Sequence, residues 1–175
     1  LSHVAVWGRD GARAAALAQR IERDLGIAAT PAGDVGAAVG DADIICAVTA
    51  ASDPILFADQ VPEGAHVNAV GSSRAGVAEI DNALVARARF VADHRAGIIA
   101  QGGEFLFAKA AGLVDDDHVV GEIGQVFAGA LAGRETASQV TIYKSIGNVV
   151  QDLACAAWLA AVARDRGFGQ PVPFD

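Results

Sequence analysis

The fold is decided by the stretch Ala42-Asp43-Ile44-Ile45-Cys46-Ala47-Val48-Thr49, in which an uninterrupted apolar run lies between an acidic residue and a hydroxyl residue. A short apolar run without alternation is typical of a strand covered on both faces, as in a parallel sheet. Comparable runs lie along the rest of the chain, at residues 3–7, 27–30, 66–70, 90–92 and 140–143. The sequence therefore predicts six short strands.

Helical patterns separate these strands. Apolar residues at spacings of three and four predict a helix that Gly26 ends, and Asp34 and Asp81 are suited to cap two others. Further helices are predicted around residues 96–100 and 105–111, over residues 119–131, and from Ser145 onward. Strands alternating with helices predict an α/β fold, a Rossmann-like, doubly wound parallel sheet.

Composition and charge exclude several classes of function. The 175 residues amount to about one domain, and a net charge of −8 without a basic run argues against nucleic acid as a partner. No signal peptide and no apolar run long enough to span a bilayer is predicted, so we expect no membrane partner. Cys46 and Cys155 lie in apolar contexts without metal-like spacing. They predict buried thiols in a cytoplasmic protein and no metal site.

Small and hydroxyl residues follow four of the predicted strands, at the sheet edge where open parallel sheets bind ligands. Such residues let a flat ligand approach the backbone and offer it hydrogen bonds. Any one of these turns is explained by turn chemistry alone, but four at one edge predict a ligand site. The residues are Gly8, Arg9 and Asp10; Thr49, Ala50, Ala51 and Ser52; Gly71, Ser72 and Ser73; and Lys144, Ser145, Ile146 and Gly147.

Arg9 carries information about the cofactor. At the end of the second Rossmann strand, an acidic residue suits the ribose hydroxyls of NAD, whereas an arginine suits the 2′-phosphate of NADP. Arg9 therefore favours NADP(H), with NAD(H) possible. Asp10 leaves two readings open, since its carboxylate can cap the following helix or bind the ribose.

Ordered blocks along nearly the whole chain resemble those of one enzyme family. The blocks are Val6-Trp7-Gly8-Arg9, residues 42–49, Pro62-Glu63-Gly64-Ala65-His66-Val67-Asn68-Ala69-Val70-Gly71-Ser72, Glu79-Ile80-Asp81, Gly121-Glu122-Ile123-Gly124-Gln125-Val126, and Ile142-Tyr143-Lys144-Ser145-Ile146-Gly147. Together they are similar to the ornithine cyclodeaminase and mu-crystallin family, and most similar to its ketimine reductase branch.

The resemblance implies a two-part, homodimeric enzyme. Residues 1–145 would form the NAD(P)-binding Rossmann domain, and residues 146–175 a helix and tail that pack on a separate substrate and dimerisation domain. Arg9 would meet the adenosine 2′-phosphate, and Ile146 would face the substrate. The nicotinamide and its ribose would be lined by residues 49–52, by Asn68, Val70, Gly71 and Ser72, and by Lys144, Ser145 and Gly147.

Two departures from the family pattern affect the expected function. Ornithine cyclodeaminases carry an aspartate as general acid/base where this chain has Ser73, the catalytic candidate at that position, and a serine without an adjoining base is a poor proton acceptor. The first Rossmann strand and its glycine-rich phosphate loop are also absent. We therefore expect this chain to be part of a longer protein, with that strand's place lying between the strands at residues 3–7 and 44–49.

Three functions stay open at this stage. The favoured one is an NAD(P)-dependent oxidoreductase that reduces a cyclic ketimine or acts on a small amino acid, the cofactor supplying the hydride chemistry. The second is an ammonia lyase of the ornithine cyclodeaminase type with catalytic NAD, against which Ser73 and Arg9 both count. The third is a non-catalytic, crystallin-like protein that binds NADP(H) or a small ligand.

Overall fold

Parallel strands and short helices alternate along the part of the chain that the structure describes. The structure is a computed structural model and describes residues 1–170 and residue 172. The strands are β1 (His3–Val6), β2 (Ala28–Pro31), β3 (Ile44–Ala47), β4 (His66–Ala69), β5 (Arg89–Ala92), β6 (Val119–Glu122) and β7 (Thr141–Lys144). The helices are α1 (Gly11–Leu25), α2 (Val35–Val39), α3 (Asn82–Arg87), α4 (Arg95–Gln101), α5 (Gly103–Ala110), α6 (Ile123–Phe127) and α7 (Val149–Arg166).

The strands form two parallel sheets. β1 pairs with β2, and a five-stranded sheet has the order β3-β4-β7-β5-β6. The predicted α/β fold with parallel strands is thus confirmed. The order differs from a simple succession because β7, the last strand in the sequence, lies between β4 and β5 and pairs with both. This strand order places the loop after β7 between the loops that follow β4 and β5.

A groove separates the two sheets. Among the described residues, β1 and β3 do not pair, and side chains from both, including Ala5 and Ile45, line the space between them. This groove lies where the sequence analysis expects a further strand of the Rossmann sheet. The chain passes from β1 to β3 through α1, β2 and α2.

Local capping sets the ends of the helices near the strand ends. The Asp10 carboxylate accepts hydrogen bonds from the N–H groups of Ala12 and Arg13, at 3.0 and 3.1 Å, and begins α1. Gly26 ends the same helix in the left-handed conformation, with φ of 65°. Asp34 and Asp81 cap α2 and α3 as the sequence predicts.

The core lies between the five-stranded sheet and helices α3, α4 and α5. Phe90 and Ile142 from the sheet are fully buried, as are Leu84, Ile98 and Phe105 from the three helices. Burying one such side chain contributes about 1.5–3 kcal/mol. This core holds β4, β5 and β7 rigidly, so the loops at their ends start from fixed positions.

The prediction that the strand at residue 44 is covered on both faces is wrong. Ile45 and Ala47 are buried, but Ile44 is 54% exposed and Cys46 is exposed as well. Along β3, only the face that carries Ile45 and Ala47 is covered. The prediction of buried thiols fails likewise, because Cys155, on α7, is also exposed.

Two helix predictions also need correction. Residues 119–122 form strand β6, because Val119 and Val120 are β-branched and the segment pairs with β5, and only residues 123–127 are helical. The last helix begins at Val149 rather than near Ser145, since Asn148 caps it. Its predicted tail ends in residues 171 and 173–175, which lie outside the described residues. Across the residues described, no helix combines the length and the apolarity needed to cross a membrane.

Candidate functional site

The loops after β3, β4, β5 and β7 meet at one edge of the five-stranded sheet. Parallel pairing brings the strand ends into register, with Ala47 beside Ala69 and Ala69 beside Lys144. The loops that follow carry most of the residues predicted to bind a cofactor. Three buried acidic side chains connect these loops from beneath.

The Glu79 carboxylate connects the loop after β3 to the loop after β4. Its Oε1 accepts hydrogen bonds from the Thr49 N–H at 2.5 Å and the Thr49 hydroxyl at 2.7 Å. Its Oε2 accepts hydrogen bonds from the N–H groups of Gly71 at 2.7 Å and Ser72 at 3.3 Å. Glu79 is fully buried, so these four donors replace the water that its charge would otherwise require.

A buried ion pair lies next to Glu79. Lys144 Nζ is 3.1 Å from Glu104 Oε1 and 3.0 Å from Oε2, and both side chains are fully buried. Glu104 Oε1 also accepts hydrogen bonds from the Ser72 hydroxyl and from the Glu79 N–H. Its Oε2 takes no hydrogen bond within the described chain, so the ammonium group alone compensates it. Lys144 completes the cluster by donating to the Ser72 carbonyl.

Asp93 shapes the loop between β7 and α7. Its Oδ2 accepts hydrogen bonds from the Ser145 hydroxyl at 2.9 Å and from the N–H groups of Ile146 and Gly147 at 2.9 and 3.0 Å. Gly147 has a φ of 89°, which a residue with a side chain adopts only with strain. The loop therefore turns sharply around one buried carboxylate before Asn148 begins the helix.

These carboxylates occupy the N–H groups that a phosphate would otherwise use. The N–H groups of Thr49, Gly71, Ile146 and Gly147 all point at Glu79 or Asp93. The loops after β3, β4 and β7 thus present a close-packed backbone surface rather than a phosphate-binding nest. Such a surface suits the uncharged part of a flat ligand better than its pyrophosphate.

A groove at the end of β1 offers a cationic group instead. Trp7 and Arg9 line it from one side and residues 49–52 from the other. Arg9 is exposed, and it forms no ion pair with any residue that the structure describes. Asp10 caps α1 and lies 3.2 Å from Arg13, so its carboxylate is already engaged.

The remaining predicted residues differ in how their side chains are placed. Ser72 and Lys144 are buried, so only their backbones can face a ligand, whereas Ser73 is exposed and Ile146 half-buried. Asn68 lies within β4, and its amide is 3.7 Å from the Cys46 sulfur on the open face of the sheet. Asn68 therefore lies on the face of the sheet opposite the core face of Val67 and Ala69.

Sequence reasoning missed the roles of Glu79, Asp93 and Glu104. Each had a signal: Glu79 and Glu104 interrupt apolar segments, and Asp93 directly follows a buried strand. An acidic residue in such a context is rarely buried unless donors surround it. In the described part of the chain, no three His, Cys, Asp or Glu side chains form a group that could hold a metal ion.

His66 lies at the opposite end of β4 from the site. Its Nδ1 is 2.7 Å from the Thr141 hydroxyl. Burial lowers the pKa of His66, the Arg134 guanidinium lowers it further, and a hydrogen bond with Asn68 opposes both.

Comparison with known proteins gives the family. The model of the ornithine cyclodeaminase/mu-crystallin family matches residues 1–166. A Delta(1)-pyrroline-2-carboxylate reductase of Bacillus cereus is 31% identical over 175 residues, which are 99% of this chain and 54% of the relative. The chain thus spans about half the length of the curated relatives it matches.

Solved structures agree with this match. The reductase of the same name from Thermococcus litoralis, in complex with NADH and L-proline, has a TM-score of 0.92 at 26% identity, over 98% of this chain and 53% of its own. An archaeal alanine dehydrogenase dimer with bound NAD has a TM-score of 0.86 at 28% identity, over 100% and 53%. The chain belongs to the ornithine cyclodeaminase/mu-crystallin family.

Proposed function

We propose that this chain is the nucleotide-binding part of an NAD(P)-dependent reductase that acts on a small cyclic imine or amino acid. The observation that carries the proposal is the meeting of the loops after β3, β4 and β7 at one sheet edge, beside the groove that contains Arg9. The Bacillus cereus relative is named a reductase, and the Thermococcus litoralis neighbour was solved with NADH and L-proline.

A bound nicotinamide cofactor would supply hydride transfer to or from the carbon of a C=N bond. The chain's own contribution is to position that ring. Residues 49–52 and Gly71 bring backbone close to it, and the loop held by Asp93 places Ile146 toward the substrate side. Packing by these loops excludes water from the reacting atoms.

We infer a preference for NADP(H) over NAD(H) from Arg9. Its guanidinium is exposed in the groove that Trp7 also lines, and it is free of ion pairs with the residues described. A 2′-phosphate there would gain a charge-assisted and potentially bidentate contact. Asp10, which would favour the ribose hydroxyls of NAD, is engaged in capping α1.

Ser73 supports reduction rather than deamination. It is exposed, and the hydrogen bonds that the described acids make with this loop reach Gly71 and Ser72 but not the Ser73 hydroxyl. Without an adjoining base, its hydroxyl can donate a hydrogen bond to a substrate but is a poor proton acceptor. A cyclodeaminase needs a proton acceptor at this position.

We further propose that α7 packs on a substrate and dimerisation part of the protein and that the protein is a homodimer. Leu153, Trp158 and Leu159 are 68%, 64% and 53% exposed, and they project to well-separated sides of the helix. A helix that is apolar all round is normally buried, so a single contact surface would not cover this one. The archaeal neighbour was solved as a dimer.

The free thiols of Cys46 and Cys155 support a reducing location such as the cytoplasm, because both are exposed and would be open to oxidation elsewhere.

Turnover tests the proposed function. The full-length protein that contains this chain is incubated with NADPH and pyrroline-2-carboxylate, and NADPH oxidation is followed by absorbance; consumption of NADPH with formation of proline supports the proposal. Release of ammonia from ornithine without net cofactor consumption would instead establish the cyclodeaminase reaction. Tight NADPH binding without turnover of any cyclic imine or small amino acid would indicate a non-catalytic binding protein.

A further inference from the structure

The three fully buried ionised side chains at the sheet edge form one connected cluster. Glu104 on α5 pairs with Lys144 on β7, and its Oε1 also accepts the Glu79 N–H at 3.2 Å. Glu79 in turn accepts hydrogen bonds from the loops after β3 and β4. The cluster, the Glu79–Glu104–Lys144 network, thus joins the ends of three neighbouring strands through one set of buried polar contacts.

The network places two acidic side chains and one lysine side chain together in the interior, where all three are fully buried. Stability alone does not favour such an arrangement, since apolar residues of similar volume often do as well or better than buried ion pairs. What the charges provide is geometry. The two Glu79 oxygens accept four donors, which is about their full capacity, and the donors come from two different loops.

Gly71 shows how closely those two loops approach. A Cβ at Gly71 would lie 2.2 Å from the Thr49 carbonyl oxygen and 2.3 Å from Glu79 Oε1. The two backbones are therefore in direct contact at the candidate site. Without an acceptor between them, the N–H groups of Thr49 and Gly71 would have to find new partners, and the contact would open.

We propose that Glu79 is a positioning residue, which fixes the loop of Thr49 against the loop of Gly71 and Ser73, and that the Glu104–Lys144 pair holds Glu79 and Ser72 in place from below. The proposal rests on the proposed function, since it is the nicotinamide and the substrate that these loops would position. The alignment of the hydride donor with the hydride acceptor would then depend on a carboxylate that contacts neither of them.

Glu79→Gln tests the role of the carboxylate. Glutamine has the same shape but places an NH2 group against N–H donors that need an acceptor. With NADPH and pyrroline-2-carboxylate we expect kcat to fall about 100-fold, as a displacement near 1 Å can cause, while KM for the imine changes less than about threefold. The matched control is Glu63→Gln, which removes an exposed acid and should keep kcat.

The measurements separate positioning from a purely structural role. If Glu79 only stabilises the fold, Glu79→Gln will lower the melting temperature but retain a kcat within about twofold of the wild type, and that result would overturn the proposal. If Glu79→Gln does not fold, Thr49→Val removes a single donor to Glu79 in a nearly isosteric way. We then expect a fall in kcat of about fivefold, the loss of one hydrogen bond, and an unchanged kcat would overturn the proposal.

The outcome for the wild type distinguishes this proposal from the function on which it rests. A wild-type protein that neither binds NADPH nor reduces the imine contradicts the proposed function, and the positioning role is overturned with it. An active wild type together with an equally active Glu79→Gln contradicts the positioning role alone.

Discussion

The sheet edge and helix α7 differ in which types of residue they bury and which they expose. At the sheet edge, Glu79, Glu104 and Lys144 are fully buried although all three are charged. On α7, Leu153 and Trp158 are 68% and 64% exposed although both are apolar. Each departs from the usual distribution of residue types, and the reason differs. The buried charges meet their partners within this chain, whereas we propose that the exposed apolar residues of α7 are covered by another part of the protein.

Breaking the buried ion pair should give the largest effect. Lys144→Ala leaves Glu104 buried without its ammonium partner, which we expect to lower the free energy of unfolding by about 3–5 kcal/mol. Urea denaturation followed by circular dichroism measures the change. Lys109→Ala is the matched control, because Lys109 pairs with Asp116 at 2.5 Å in a partly exposed position and should change stability by about 1 kcal/mol or less. Equal losses in both variants would show that the buried network has no special weight.

Placing a charge on α7 should have a smaller effect, on assembly. Leu153→Lys puts an ammonium group into the surface proposed to be covered, and we expect the dissociation constant of the dimer to rise at least about tenfold, or about 1.4 kcal/mol. Sedimentation velocity at several concentrations measures it. Phe127→Lys alters an 84% exposed side chain that belongs to α6, so it should leave association unchanged. A monomeric wild type would refute the proposed homodimer.

Acidification should have the smallest effect. Because burial holds the pKa of His66 below its usual value of 6.5, the unfolded chain binds the proton more readily. The stabilising effect of the neutral ring is therefore complete above about pH 6.5 and is lost as the pH falls through the folded-state pKa. We expect less than about 1 kcal/mol, since the ring is only half-buried.

His66→Asn tests this linkage because an amide group can take the place of Nδ1 beside Thr141. Urea unfolding at several pH values between about 5 and 7 should show a flatter dependence in the variant. Parallel curves for the two proteins would mean that other groups dominate the titration.

Local sequence signals predict the elements of this fold well. The predicted helix caps at Asp34 and Asp81 and the predicted stop at Gly26 lie where the structure has them, and Asp10, which the sequence left open between two roles, caps α1. Such signals act within one or two turns of chain and do not depend on the rest of the fold.

Long-range pairing is what the sequence does not reveal. Nothing near residue 141 indicates that β7 inserts between β4 and β5, and this insertion brings Lys144 to Glu104, 40 residues away in the chain. The sequence predicts a helix at residues 119–122, and only their pairing with β5 identifies them as a strand. The side chains of Ser72 and Lys144 point inward rather than toward a ligand. Their direction follows from the long-range contacts that they make with each other and with Glu104.

The central claim is that this chain binds a nicotinamide dinucleotide and that Arg9 selects NADPH. Fluorescence titration of the full-length protein that contains this chain with NADPH and NADH tests it most directly, with Arg9→Ala compared against Arg20→Ala, an exposed arginine on α1 that pairs with Asp24. We expect NADPH to bind more tightly than NADH, Arg9→Ala to remove most of that preference, about tenfold or more, and Arg20→Ala to retain it. Binding of neither nucleotide would contradict the cofactor assignment, and a preference for NADPH that survives Arg9→Ala would contradict the role of Arg9.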